Sequence, residues 1–239
     1  MNLLQIVQAF CDRTNLPSPA TVIGSSDHLV RQIRAILEEI GTDMADRGAW
    51  QALTFEASFT TVAAESQGKI DSIVGAGNGF SYIKNETIWD RDSRIPICGP
   101  LDAREWQEAK AHQPLGTAYH YRIRAGNLLI IPAPSAGLTW YFEYVSRNWI
   151  TDSTGTVGRS KFEADIDLVR LPVHVLLMGL RWAWKKENGL EYAEDLRTYE
   201  AQLADAIGRE GGRRRIKMDA PTYPGPRPGI FIPAGNWDL

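Results

Sequence analysis

The chain has 239 residues, 44% of them hydrophobic and 23% charged, with a net charge of −3. That length suits one large domain or two small ones, and the composition is that of an ordinary soluble globular protein. The small acidic excess argues against a general nucleic-acid binder, which carries a basic surplus. The start, MNLLQIVQAFCDRTN, has no basic opening and no small-residue cleavage site, so no signal peptide is expected. The longest apolar runs, such as VHVLLMGL at 173–180, are too short to span a bilayer. Two distant cysteines, Cys11 and Cys98, suit reduced thiols in a cytosolic setting rather than a disulfide framework. Eight tryptophans are many for this length. A surplus of Trp marks large interfaces, or fills a two-part core.

Residues 1–48 read as helical. Leu3, Ile6 and Phe10 share one helix face, and the stretch from Leu16 to Pro19 breaks it. Ser25, Ser26 and Asp27 offer N-caps to a second helix with an apolar stripe of Leu29, Ile33, Ile36, Leu37, Ile40 and Met44, ending near Arg47-Gly48. Texture changes at Trp50. LTFEASFTTV at 53–62 reads as a strand, and Gly75, Gly77 and Gly79 mark a loop. ETIWDRD and RIPICG read as strands of an irregular hairpin, and DAREWQEAKAH as a short helix capped by Asp102. YHYRIRAGNLLIIP is a hairpin by its Gly126-Asn127 turn, and GLTWYFEYVSRNW a long aromatic strand.

After the polar loop TDSTGTVGRS, residues 166–187 carry a broad apolar face, with Pro172 placed in the first turn of a helix. Asp165 and Asp167 read as chemistry for the start of that helix, and Asn188-Gly189 stops it. Tyr192, Leu196, Tyr199, Leu203 and Ile207 form the clearest amphipathic stripe, ended by Gly211-Gly212. Residues 211–239 are rich in proline and glycine yet hold Ile230, Phe231, Ile232 and Trp237. They read as an extended arm that docks on a partner. The expected fold class is α+β. A discontinuous helical bundle (1–48 and 161–210) carries an inserted, mostly antiparallel β domain (49–160) and an extended C-terminal arm (211–239).

Motifs for chemistry are sparse. His28, His112, His120 and His174 stand at no metal-ligand spacing, and no HExxH or CxxC occurs. IVGAGNGF has the wrong glycine spacing for a dinucleotide loop, and a strand-like stretch follows where a helix is needed. No metal or cofactor is expected. Carboxylate pairs are common (Glu38-Glu39, Asp90-Asp92, Asp165-Asp167, Glu191-Glu194), and none has a supporting motif. Arg213, Arg214 and Arg215 are a solvated hinge, or a contact for phosphate or an acidic surface.

The serial order of motifs is more telling. TIWDR is followed by a short strand, GPL, a helix with EW, a YRI-G-LLIIP hairpin, and an aromatic strand ending YVS-x-W. GLRWAWKKENGLEYAEDLRTYEAQL then gives a Trp-rich helix, a glycine turn and a Tyr-bearing helix. Across most of residues 27–215 this resembles the head-to-tail adaptor proteins of short-tailed phages, the connector subunits related to tail tubular protein A and the podoviral tail accessory factor. The resemblance implies a structural virion protein without catalysis, assembled in the host cytoplasm and placed at the head-tail interface. Its members form a ring, typically of twelve, beneath the portal protein. The ring extends the channel for genomic DNA, which passes without specific binding, and offers a platform for the tail nozzle protein. No membrane is involved.

The resemblance assigns portal docking to the arm residues Arg213, Arg214, Arg215, Ile230, Phe231, Ile232 and Trp237. It makes Trp89, Asp90, Arg91, Gly99, Pro100 and Trp106 structural signature positions, and Trp182, Trp184, Tyr192 and Tyr199 candidates for helix contacts between subunits. Asp90, Arg91, Asp92 and Arg94 are expected to form a hairpin salt-bridge set, within or between subunits, with Trp89 and Trp106 anchoring the β region. The alternative is a tail-associated peptidoglycan hydrolase using Glu38, Glu39, Asp90 or Asp92. A DNA-binding module through Arg213–Arg215 is a third reading, with steep salt dependence as its signature.

Overall fold

The computed structural model describes residues 1–112 and 118–210; the arm expected over 211–239, with its docking residues, lies outside them. The chain opens with helices α1 (Leu3–Thr14) and α2 (His28–Arg47). Asn2 accepts the Gln5 N–H at 2.9 Å while the Gln5 side chain accepts the Asn2 N–H at 3.1 Å, a reciprocal cap. The next N–H groups, of Leu3 and Leu4, donate to the carbonyls of Asp167 and Asp165 at 3.0 and 3.1 Å. Asp27 caps α2 through the Leu29 N–H, as its sequence position predicts, and Gly48 ends it.

A short 3-10 turn (Gln51–Leu53) leads into the β region. Its elements are β1 (Thr54–Thr60), β2 (Ser66–Lys69), α3 (Ile70–Val74), β3 (Phe80–Ile83), β4 (Trp89–Asp90), β5 (Ile95–Cys98), α4 (Ala103–His112), β6 (Tyr119–Arg124), β7 (Asn127–Ile131) and β8 (Thr139–Ser146). The strands form one sheet in the order β1-β8-β4-β5-β6-β7-β2, with β3 also on β8. Every pair is antiparallel except β5–β6. The sheet curls: α3, which follows β2 at one end of the order, packs against β1 at the other. Phe59, Ile97, Tyr121, Leu128, Ile130, Trp140 and Phe142 fill the inside with Ile70 and Val74 of α3. On the other side of β6 and β7, α4 lays the fully buried Trp106 on Leu129 and Ile131.

Beyond β8 lies a second sheet of β9 (Ile150–Thr151), β10 (Gly158–Arg159) and β11 (Leu168–Val169), then α5 (Val173–Glu187) and α6 (Ala193–Glu210). Here the sequence expectations need correction. Residues 166–172 are not helical; α5 starts after Pro172, because proline pushes the residue before it to extended backbone. The polar loop contains β10. Asp165 and Asp167 do not serve the start of α5. Asp165 accepts the N–H groups of Val22 and Ile23, at 2.7 Å for Ile23. Asp167, 1% exposed, accepts those of Glu163 and Ala164 and pairs with Arg159 at 2.9 Å.

Helices α1, α2, α5 and α6 share one apolar core with Val145, Trp149 and Ile150 from the sheets. Two glycines set its tightest contacts. A Cβ on Gly41 would stand 2.2 Å from the Trp149 ring, and one on Gly179 2.5 Å from Ile40. The fold is therefore α+β: among the described residues, six helices and a curled, mostly antiparallel sheet.

Candidate interaction surface

The stretch 86–106 folds as one scaffold unit. Trp89 and Asp90 pair with Pro96 and Ile95 on one side and with Tyr141 and Trp140 of β8 on the other. Asp90 is 2% exposed and accepts the N–H groups of Asp92 (3.0 Å) and Ser93 (3.1 Å), closing the 90–94 turn. Burial pushes its carboxyl up, but the donated N–H bonds outweigh this and hold it below the usual carboxylate value. Gly99 has φ +148, and a Cβ there would lie 2.6 Å from the Tyr121 carbonyl oxygen, so the position needs glycine. The cis Gly99-Pro100 bond leads to Leu101, whose N–H donates to that same carbonyl at 3.0 Å. Asp102 and Glu105 then cap each other across the start of α4, at 2.7 and 3.0 Å. Trp106 is the buried anchor the sequence suggests.

Two expectations for this stretch fail. Trp89 anchors no core: it is 42% exposed, on the outer face of the sheet. Nor, within the chain, do the four charged residues form a salt-bridge set with one another. Asp90 is spent on backbone N–H groups. Among the described residues Arg91 alone of the four pairs with a carboxylate, and that carboxylate is Glu56 of β1. To reach it the guanidinium crosses β8 and lies 4.0 Å above the Tyr141 ring. Arg91 thus straps three strands together from outside. Glu56 stands directly opposite Glu143 across β1–β8, a like-charge placement that repels, and Arg91 offsets it.

Around this strap lies an open cleft of about 490 Å³, lined by Glu56, Glu86, Thr87, Trp89, Arg91, Arg94, Tyr141, Phe142 and Glu143. It presents exposed aromatic area beside three carboxylates and two guanidinium groups. Aromatic and arginine side chains together characterise the centres of protein contacts. Glu56, Glu86, Tyr141 and Glu143 were not singled out by sequence. Alternation along β1 and β8 marks Glu56, Tyr141 and Glu143 as outward, and Glu86 lies in the turn between β3 and β4; only the folded sheet brings them together.

The remaining candidates are scattered. Tyr199 is fully buried, against Trp182 at 6.0 Å between ring centres, so it belongs to this chain's own core and not to a contact between subunits. Trp184 packs edge-on against Phe10 at 5.9 Å. Trp182 and Trp184 are partly buried, whereas Tyr192 lies just before α6, 37% exposed beside the 48% exposed Leu190. Nearby, the buried Asp195 takes Arg181 and Lys185 as partners. The four hydrolase candidates do not converge. Glu38 and Glu39 are on α2, where Glu38 holds Arg34 at 3.7 Å and accepts the Phe162 N–H at 3.4 Å. Asp90 is enclosed in its turn.

Among the described residues no group of three or more His, Cys, Asp or Glu is placed to hold a metal, and no helix is long and apolar enough to cross a membrane. No family model and no curated protein matches the chain.

Proposed function

We propose that this protein is a head-to-tail adaptor of a short-tailed phage, a structural virion protein that forms a ring of twelve beneath the portal. In this reading the helices of 1–48 and 161–210 act as a discontinuous bundle that packs subunit to subunit. The β domain faces the tail nozzle with Trp89, Arg91, Arg94 and Tyr141. The arm from 211 onward reaches the portal, and genomic DNA passes through the channel. The protein is assembled in the host cytoplasm and does no chemistry of its own.

One observation carries the reading beyond the order of sequence motifs. In 86–106, the stretch at the centre of the resemblance, the candidate chemical groups are consumed in scaffolding. Asp90 ties a turn, Asp102 and Glu105 cap a helix, and Trp106 fills a core. What remains outward, Trp89 beside Arg91 and Tyr141, is suited to protein contact. Native mass spectrometry of the protein mixed with its phage's portal tests this, beside a version ending at Gly212. A multi-copy ring on the portal, lost on truncation, is expected. No association of either form refutes the assignment.

The cleft favours a second reading. Glycoside hydrolysis uses two carboxylates about 5–10 Å apart across a cleft, and Glu56 and Glu143 are cross-strand partners there. A peptidoglycan hydrolase would clear a cell-wall zymogram and lose that on Glu143→Gln. The adaptor reading expects no clearing from either protein.

A further inference from the structure

The curled sheet ends in a strand with one free side. Glu143 on β8 receives the Lys84 N–H at its carbonyl (2.9 Å) and gives its own N–H to the Thr87 hydroxyl (3.2 Å). Both partners lie on the β3–β4 side. Its opposite residue on β1, Glu56, therefore turns its N–H and C=O away from β8. The alternation carries the same orientation to Ser58 and Thr60. At the end of the ladder the Thr61 N–H donates to Leu138 at 2.8 Å, fixing the complementary phase. All three outward residues are exposed. No described segment bonds to their backbone groups, and α3, which packs its apolar side chains beside β1, gives it no backbone bond. A row of open N–H and C=O groups is a template for an added strand.

We infer that this edge receives residues 229–232 (Gly-Ile-Phe-Ile) of a second copy of the chain. Three observations select that occupant. First, α6 delivers the remaining chain to the head of the edge: the Gln51 N–H donates to the Glu210 carboxylate at 2.7 Å, three residues before β1. Second, the segment matches in length and chemistry. Ile230, Phe231 and Ile232 favour strands, and Pro228 and Pro233, which lack N–H groups, bound a run about as long as the open edge. Third, Pro221, Pro224, Pro226 and Pro228 stiffen the intervening chain. A proline-rich spacer extends by about 3.1 Å per residue, and the 18 residues between Glu210 and Gly229 are length enough to reach the edge of a second copy. A contact of this kind is head-to-tail, the type that closes rings. The inference rests on the adaptor reading only for the number of copies. Arg213–Arg215 and Trp237 remain for the portal.

Two variants separate the halves of the contact. Ser58→Pro removes an outward N–H and leaves the β1–β8 ladder intact; Thr60→Pro does the same and replaces it if the first fails to fold. Ile230→Asp spoils the inserted run. The full-length protein alone should sediment as an oligomer, with the Glu56 and Thr60 amides exchanging at least tenfold more slowly than in Ile230→Asp. Each variant alone should be a monomer with an unchanged melting midpoint. A mixture of the two should recover a dimer, because one supplies the intact segment and the other the intact edge. A mixture that stays monomeric, or equal exchange at those amides, overturns the inference. A monomeric wild type with protected amides also overturns it, since that places the segment on its own edge. No portal is present, so the outcome is independent of the test of the adaptor reading.

Discussion

The helical core and the curled sheet solve the same packing problem with opposite surfaces. In the helical core, key aromatic and charged groups are turned inward or locked. Tyr199 is buried, Trp149 fills the notch at Gly41, and Asp195 is held between Arg181 and Lys185. The sheet buries one face as tightly, yet leaves Trp89, Arg94 and, among the described residues, the outer edge of β1 open. The difference teaches where to look for each property. Changes in the helical core should cost stability, while changes on the outer sheet should cost association and leave stability alone.

The sharpest test of the first half is Gly41→Ala. Its Cβ would stand 2.2 Å from the Trp149 ring, and such overpacking costs about 3 kcal/mol, measurable by urea unfolding. Asp195→Asn comes next, at about 2 kcal/mol; the half-exposed Arg181 keeps it below the cost of breaking a fully buried pair. Burial pushes the Asp195 carboxyl up, and the bonds from Lys185 and Arg181 more than reverse this, so its folded-state pKa is lowered. A lowered carboxyl contributes stability above its unfolded value, near pH 4, and loses it as pH falls through the folded value. The gap between wild type and Asp195→Asn should therefore narrow in melts below about pH 4. Asp90→Ala removes the acceptor of two part-buried N–H groups and should cost about 1 kcal/mol.

Trp89→Ala and Arg91→Ala break the comparison from the other side. Trp89→Ala should leave the melting midpoint unchanged, and Arg91→Ala should lower it only slightly, because an exposed ion pair contributes little; on the adaptor reading each should weaken binding to the nozzle protein at least tenfold by surface plasmon resonance. A large loss of stability in Trp89→Ala would place that residue with the core after all.

How much of this was legible in the sequence depended on range. Caps and breaks act within a turn of the chain, so Asp27, Gly48, the Asp102 cap and the Gly75–Gly79 loop were readable from local chemistry. The α+β alternation of texture was readable for the same reason. Pairing partners were not. An aspartate before an apolar run looks like a helix cap, but Asp165 serves Val22 and Ile23, far back in the chain. Asp90 beside Arg91 looks like an ion pair, yet Arg91 reaches Glu56 two strands away. The cleft depends on the register of β1, β8 and β4, which no local pattern carries. Tyr192 and Tyr199 lie on one sequence stripe; only one of them faces the core, because the helix begins between them.

The carbonyls of Asp165 and Asp167 at the head of α1 have a consequence in time. On leaving the ribosome, α1 lacks the partners of its leading N–H groups until the stretch holding Asp165 and Asp167 has followed. At about 5–20 residues per second, that is a delay on the order of ten to thirty seconds. Over that interval the sheet region can close while α1 waits, so completion of the helical core should be among the last events of biosynthesis. A ribosome stalled soon after β8 should hold a protease-resistant sheet and a cleavable N-terminus.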